Sequence, residues 1–475
     1  MNVLFATAEF APLARVGGLA AAAAGYVAEL RKPRFTQPES GDGISVEVVL
    51  PDYEGLSLVD EQTRTLDVPR WIGRAVARTG LATDATGAAT IPVTLIDLPG
   101  IRRSHPYLQP DGDGWPDNDH RFMAFSTAVA ALVMLDRPDV LHLNDWHTAS
   151  TLAALDDPPP TVLTIHTLGY QGQSDSGWIR SFPYHHSDYQ FGGAFNPLVG
   201  GIRRADLVIS VSPHYVDEIR TDAGGFGVAG VLRDKGDRLV GILNGIDTDE
   251  WNPATDRHLT TRYDRTDPSP KSLLREQLLT EFGLIDGAGP LLSVVTRLAH
   301  QKGIDLIVPT FGYLRGLGAR LVVLGSGEQH LVDQLDHAVR HYPDIVSFHN
   351  GYDEGLAHRM FAGSDVFVMP SRFEPCGLAQ MQAMRYGTLP LVTDVGGLHD
   401  TVTDIDAFPT TGTGVVVAEP SAIALLDGIH RIARAHSNSR RRTAMRKRGM
   451  AIDWSWEQPA GRHVDWYRRL VAEHN

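Results

Sequence analysis

A chain of 475 residues has room for two or three domains or for two large α/β lobes, and 43% apolar with 21% charged residues is ordinary for a soluble globular protein. Lys plus Arg number 43 against 57 Asp plus Glu, a net charge of −14, which argues against nucleic acid or an anionic membrane as the main partner. Any phosphate-binding site therefore has to be a local basic pocket, and the single cysteine, Cys376, rules out an intramolecular disulfide, argues against a cysteine-based metal site and suits a reducing cytoplasm.

The opening residues have no basic n-region and no long apolar core, and Glu9 interrupts them, so they do not read as a signal peptide. No run approaches the ~20 apolar residues of a membrane span. Val3 to Thr7 reads as a short buried strand, Gly17-Gly18 as a turn, and the alanine run from Leu19 to Ala24 as a helix. Strand, glycine turn and helix N-terminus form the unit with which open α/β sheets offer backbone N–H groups to anions.

Further strands are predicted at Val46 to Leu50, Val93 to Leu98, Val140 to Leu143, Val162 to His166 and Leu207 to Val211, with a helical pattern from Phe122 to Leu135 between them. Strands alternating with helices imply a parallel sheet covered on both faces. Residues 168–200 have no periodicity and read either as a functional loop or as a poorly ordered insertion. A polar stretch at 250–275 precedes a second set of strands, at Leu291 to Thr296, Arg320 to Leu324, Ile345 to His349, Val366 to Met369 and Leu389 to Val392. The division is 1–240, 241–453 and a C-terminal helix within 454–475 that returns to the first domain. No repeats or low-complexity tracts interrupt this pattern.

Several motifs follow in order. They are Arg15-Val-Gly-Gly-Leu19, Asp139-Val-Leu-His-Leu-Asn-Asp-Trp-His147, Thr164-Ile-His-Thr-Leu-Gly-Tyr-Gln-Gly172, Val211-Ser-Pro-His-Tyr-Val-Asp-Glu-Ile219, Gly241-Ile-Leu-Asn-Gly-Ile-Asp247, Arg297-Leu-Ala-His-Gln-Lys-Gly303 and Pro370-Ser-Arg-Phe-Glu-Pro-Cys-Gly-Leu378. Each is modest alone. Together, from residue 3 to about Trp456, they resemble the glycogen and starch synthases. The resemblance implies the GT-B fold, with two Rossmann-like domains facing across a central cleft. It also implies a retaining transferase that takes a sugar from a nucleotide-activated donor to a saccharide acceptor.

The chemistry can be argued beside the resemblance. Departure of a nucleoside diphosphate develops negative charge, and a fixed guanidinium and ammonium stabilise it without a metal. Arg297 and Lys302, at the end of a strand, place two cations where α/β sheets bind ligands. The resemblance assigns them the diphosphate, gives Glu374 and His166 to the donor sugar, and makes these four the catalytic set. It assigns donor binding to Arg15, Gly17, Gly18, Asn244, Cys376, Gly377, Leu378, Gly396 and Gly397, and the acceptor side to Tyr107, Asp145 and His147. Asn244 has a second reading as an Asn-Gly turn, and Asp145 and His147 as braces of a strand end. Cys376 has no paired base, so it is no nucleophile. The pairs Asp111/Asp113, Asp247/Asp249 and Asp404/Asp406 could hold Mg²⁺ but read as loop residues. No metal and no cofactor is expected.

The chain departs from the family pattern at Arg15, a lysine there, at Ala21, an aspartate, and at Asn144, a histidine. Thr167 replaces an asparagine, and Thr393-Asp-Val395 replaces an Arg-Arg-Thr stretch. Arginine does not reproduce a compact ammonium. The departures favour a specialised donor or a small acceptor, as in a pseudoglycosyltransferase that joins a nucleotide-activated cyclitol to an amino sugar, of the acarbose-biosynthesis kind. The alternatives are an ADP-glucose glycogen synthase extending α-1,4-glucan and a non-catalytic carbohydrate-binding paralogue.

Overall fold

The computed structural model describes residues 1–37, 43–83, 87, 89–110 and 112–474. The chain forms two compact units, Met1–Gly245 with Trp456–Asn475, and Ile246–Ser455.

The first unit is built on a nine-stranded sheet. Its strands are β1 (Asn2–Ala6), β2 (Ser45–Pro51), β3 (Val59–Leu66), β4 (Ala75–Thr83), β5 (Ala89–Asp97), β6 (Val140–Asn144) and β7 (Thr161–Ile165), followed after a small hairpin, β8 (Gln190–Phe191) and β9 (Ala194–Phe195), by β10 (Leu207–Ser210) and β11 (Leu239–Gly241). The order is β11-β10-β7-β6-β1-β2-β5-β4-β3. The strands from β11 to β5 run parallel, as the alternation of strands and helices predicts. The edge differs, because β4 and β3 are antiparallel additions. β3 reads VDEQTRTL and is almost wholly exposed, so it has no apolar face to betray a strand.

Central strands β1, β6 and β7 are buried nearly throughout, which is why they appear as continuous apolar runs. The helix Asn118–Asp136 covers one face, and its buried residues belong to the core of Leu4, Leu141 and Leu163. On the other face lie the helix Gly18–Leu30 and the C-terminal helix Glu457–His474, through Tyr26, Val27, Val464, Tyr467 and Leu470. Residues 168–200 are ordered into short helices, Ser176–Ser181 and His186–Tyr189, and the β8–β9 hairpin, with Phe182, Tyr189 and Phe195 stacked in the core.

The second unit has a six-stranded parallel sheet in the order β14-β13-β12-β15-β16-β17, formed by β12 (Leu291–Val295), β13 (Arg320–Gly325), β14 (Val346–Asn350), β15 (Val366–Met369), β16 (Leu389–Thr393) and β17 (Val415–Val417). Only β17, three residues long, has no counterpart among the predicted strands. Helices including Gln329–His341 and Ala422–Ser437 bury their apolar stripes against it. Among the described residues no helix is long and apolar enough to cross a membrane.

Candidate active site

In the first unit the predicted residues gather at the C-terminal ends of the adjacent strands β1, β6 and β7. Asp145 follows β6 with φ 55°, in the left-handed region, and its N–H donates to Thr164 O at 2.9 Å. Its Oδ1 accepts the N–H of His166 at 2.7 Å and, at 3.5 Å, that of Thr167. Asp145 therefore braces the start of the next loop. Burial pushes its carboxyl up to about 7, against the pull of those two amides.

His166 caps β7. Its Nε2 lies 2.9 Å from Asn144 Oδ1, and Asn144 gives its Nδ2–H to Ala6 O at 2.9 Å. Asn144 can only accept there, so Nε2 bears the proton and Nδ1 keeps a lone pair. Burial holds His166 down to about 3, and it is neutral at physiological pH. His147 is likewise neutral, also lowered to about 3 by burial. Its ring packs on Tyr107 at 5.1 Å and Phe122 at 4.6 Å between centroids. Its Nδ1 is buried without a hydrogen-bond partner among the described residues. Tyr107, Asp145, His147 and His166 thus form one cluster.

The residue missed from sequence is Glu9. It is 5% exposed. Its Oε2 accepts the N–H groups of Val16 and Gly17, each at 2.9 Å, and its Oε1 accepts the Tyr107 hydroxyl at 2.8 Å. One carboxylate thus fixes the glycine loop and the Tyr107 loop together. The Gly17 amide, offered to an anion by the strand–turn–helix pattern, faces this carboxylate instead. Gly17 and Gly18 are exposed, and the helix from Gly18 starts with no capping side chain of its own and no acid in its first turn, so the Glu9 carboxylate on the Gly17 amide is the negative group at its positive end. Arg15 is exposed and Ala21 half-buried at this loop. The available signal for Glu9 was a carboxylate inside an apolar run just before a glycine turn.

In the second unit, Arg297 follows β12. It is exposed and makes no hydrogen bond or ion pair among the described residues. Lys302 Nζ donates to Glu374 Oε2 at 2.6 Å, and Ser371 Oγ donates to the same oxygen at 3.0 Å. Both members of the pair are mostly buried, 18% and 7% exposed.

Their loops are tied together. Arg372 forks onto Asp305 at 2.8 and 2.7 Å and donates to His300 O at 2.7 Å, while Gln301 Nε2 donates to Phe373 O at 3.0 Å. The Gly397 N–H donates to Glu374 O at 3.0 Å, and a Cβ at Gly397 would collide with the Cys376 backbone. Gly396, at φ 41°, opens the helix Gly396–Thr401. Gly377, at φ 72°, and Leu378 lead into the helix Ala379–Arg385. Cys376 is buried and in no disulfide. The predicted residues of this unit, Arg297, Lys302, Glu374, Cys376, Gly377, Leu378, Gly396 and Gly397, therefore share the C-terminal edge of its sheet. Asn244 belongs to the first unit, buried just beyond β11.

Two of the Asp-x-Asp pairs build turns. Asp247 Oδ1 accepts the amides of Asp249 and Glu250. Asp404 does the same for Asp406 and Ala407, and Arg431 neutralises both Asp404 and Asp406. Asp111 lies outside the described residues. Among the described residues one group could gather on a metal ion, Glu250, Glu354 and His358, and none of the predicted catalytic residues belongs to it.

Residues 2–234 match the family described as the starch synthase catalytic domain, and residues 279–450 match glycosyl transferases group 1. The chain is 39% identical over 487 residues to a glycogen synthase of Halorhodospira halophila, covering 99% of each protein. It is 38% identical over 488 residues to one of Marinobacter nauticus, covering 99% and 98%. Among solved structures it resembles the catalytic domain of starch synthase IV of Arabidopsis thaliana bound to ADP and acarbose, with a TM-score of 0.86, 30% identity and 99% of both chains covered. The two α/β units match the GT-B fold of these enzymes. The chain belongs to the glycogen and starch synthase family of glycosyltransferases.

Proposed function

We propose that the protein is a glycogen synthase that transfers glucose from ADP-glucose, with retention, to the end of an α-1,4-glucan, and that it works in the cytoplasm. The observation that supports this most directly is the Arg297, Lys302 and Glu374 arrangement, in a chain alike over its whole length to proteins named glycogen synthase. Arg297 meets the diphosphate as an exposed guanidinium. Lys302 arrives oriented by Glu374, and the pair of cations offsets the charge of the leaving group without calling on a metal. Glu374 and the neutral His166, with its Nε2–H held by Asn144, take the sugar hydroxyls. Tyr352, 73% exposed just beyond β14 on the same sheet edge, offers a ring on which the base stacks. The acceptor meets Tyr107, Asp145 and His147, and the transfer runs through a front-face, ion-pair-like displacement.

A second reading, a specialised donor or a small acceptor, draws on the departures from the family pattern. Arg15 and Ala21 stand at the glycine loop, and Asp394 forms a 2.6 Å pair with His399 where the family has positive residues. Incubation of the purified protein with ADP-glucose and glycogen separates the two. Sustained chain elongation supports glycogen synthesis. No elongation with ADP-, UDP-, GDP- or dTDP-glucose, together with a thermal shift by another nucleotide-linked donor, favours the specialised transferase.

A further inference from the structure

We propose that Glu250, Glu354 and His358, none of them among the residues assigned to sugar transfer, form a binding site for one transition-metal ion of the Zn²⁺ type. A carboxylate oxygen of each glutamate and an imidazole nitrogen of His358 lie within 4.8 Å of one another.

The state of His358 is an independent observation. The residue is 1% exposed and stacks on Trp251, with centroids 4.0 Å apart and planes 10° from parallel. Its Nδ1 lies 2.8 Å from Asp256 Oδ2 and 3.0 Å from the Tyr386 hydroxyl oxygen. The Tyr386 hydroxyl spends its own proton on Asp256 Oδ2, at 2.6 Å. Both neighbours of Nδ1 can therefore only accept from it, and Nδ1 carries the ring proton. Nε2 is left with its lone pair, buried and with no hydrogen-bond partner among the described residues. A buried polar atom without a partner is uncommon and calls for an explanation, an ion among them. An imidazole that donates its far N–H to a carboxylate is also how histidines are set to bind metals, because the carboxylate fixes the tautomer and raises the basicity of the ligating nitrogen.

The backbone supplies the rest. Glu354 and His358 stand four residues apart on the helix Glu354–Gly363 and share a face. The Tyr352 hydroxyl donates to Glu354 Oε2 at 2.9 Å, a hydrogen bond of the kind that orients ligating carboxylates. Glu250 comes from the turn that Asp247 builds, and it is exposed. Ligand atoms held about 2.0–2.2 Å from tetrahedral zinc lie roughly 3.2–3.6 Å from each other, so the closure required is small. One imidazole with two carboxylates, completed by water, suits Zn²⁺ better than Mg²⁺ or Ca²⁺, which take oxygen ligands.

The test is calorimetric titration of the full-length, EDTA-stripped protein with ZnCl₂ and, separately, MgCl₂, beside its melting temperature. The expected result is one Zn²⁺ per chain, a higher melting temperature on saturation, and affinity at least about tenfold lower in E250Q and in E354Q with unchanged circular dichroism. The exposed position of Glu250 makes E250Q the variant that leaves folding intact. Absence of stoichiometric Zn²⁺ binding overturns the proposal, as does binding of Mg²⁺ in preference to Zn²⁺. So does Zn²⁺ binding of equal affinity in the E250Q/E354Q double variant, which would place the ion elsewhere among the chain's 20 histidines.

Discussion

Arg297 and Lys302 were read from one motif, yet the structure gives them different surroundings. Arg297 has no internal partner among the described residues, whereas Lys302 is held by Glu374. Arg297→Ala should therefore leave the melting temperature essentially unchanged, as for an exposed site of about ±0.5 kcal/mol. The same change should lower kcat/KM by roughly 10²–10³. A loss of stability matching the loss of activity would show the arginine to be structural. Glu9 is the converse case, since a lone acid in an apolar run gives no hint of three partners brought from 7, 8 and 98 residues away. Glu9→Gln converts one acceptor oxygen to a donor facing an N–H or O–H, and should cost about 1–3 kcal/mol in denaturant unfolding and depress kcat. Asp145 carries a pH signature. Its folded pKa, about 7, lies above the ordinary 3.8, so the native state keeps a proton that the unfolded chain gives up, and stability falls as pH rises from about 4 to 7. Asp145→Asn should raise the melting temperature at pH 8 and bring no such gain at pH 4.

At the scale of elements, the C-terminal helix shows how a pattern can be legible while its attachment is not. The C-terminal helix predicted within 454–475 is Glu457–His474, packed within the first unit. Its Tyr467 hydroxyl meets Tyr26 at 2.6 Å and His142 Nδ1 at 2.5 Å, and His142 Nε2 meets Thr164 at 2.7 Å. This buried chain joins two helices to β6 and β7. No sequence period encodes it, because its members are spread over 441 residues. Trp456, just before the helix, lies so close over Gly25 that a Cβ there would collide with the indole. Gly25→Ala should therefore destabilise by about 1–3 kcal/mol despite alanine's better helix propensity. A more stable Gly25→Ala protein in thermal denaturation would show that the indole swings aside without loss.

Over the whole molecule, the histidines that burial lowers are unevenly divided. In the first unit burial lowers His147 and His166 to about 3 and His463 to about 4, and holds His142 well below its usual value. In the second unit burial lowers His436 to about 4. A native histidine that refuses the proton loses stability as pH falls below about 6.5, where the unfolded chain takes it up. Asp145 opposes this with a single group, so acid weakens the first unit on balance. The depressed carboxyls Asp256, Asp365 and Asp404 of the second unit act only below about pH 4, under their ordinary range. Between pH 7.5 and 5, amides of Met1–Gly245 should lose exchange protection before those of Ile246–Ser455, once intrinsic rates are corrected. The reverse order in hydrogen-exchange mass spectrometry would contradict this assignment of the acid-sensitive groups.

Amino-acid order alone marks the parallel strands of both sheets, because strands buried on both faces must be continuous apolar runs, but not the antiparallel edge of β3 and β4, and it places Arg297 and Lys302 beyond β12, because local motifs mark strand ends. Tertiary structure alone decided which groups are already taken. It gave the Gly17 amide to Glu9, the Lys302 ammonium to Glu374, and the His358 Nδ1 proton to Asp256, while leaving Arg297 open to solvent. The physical reason is that hydrogen bonds and desolvation depend on neighbours far apart in the chain, whereas hydrophobic periodicity and turn chemistry are written within a few residues.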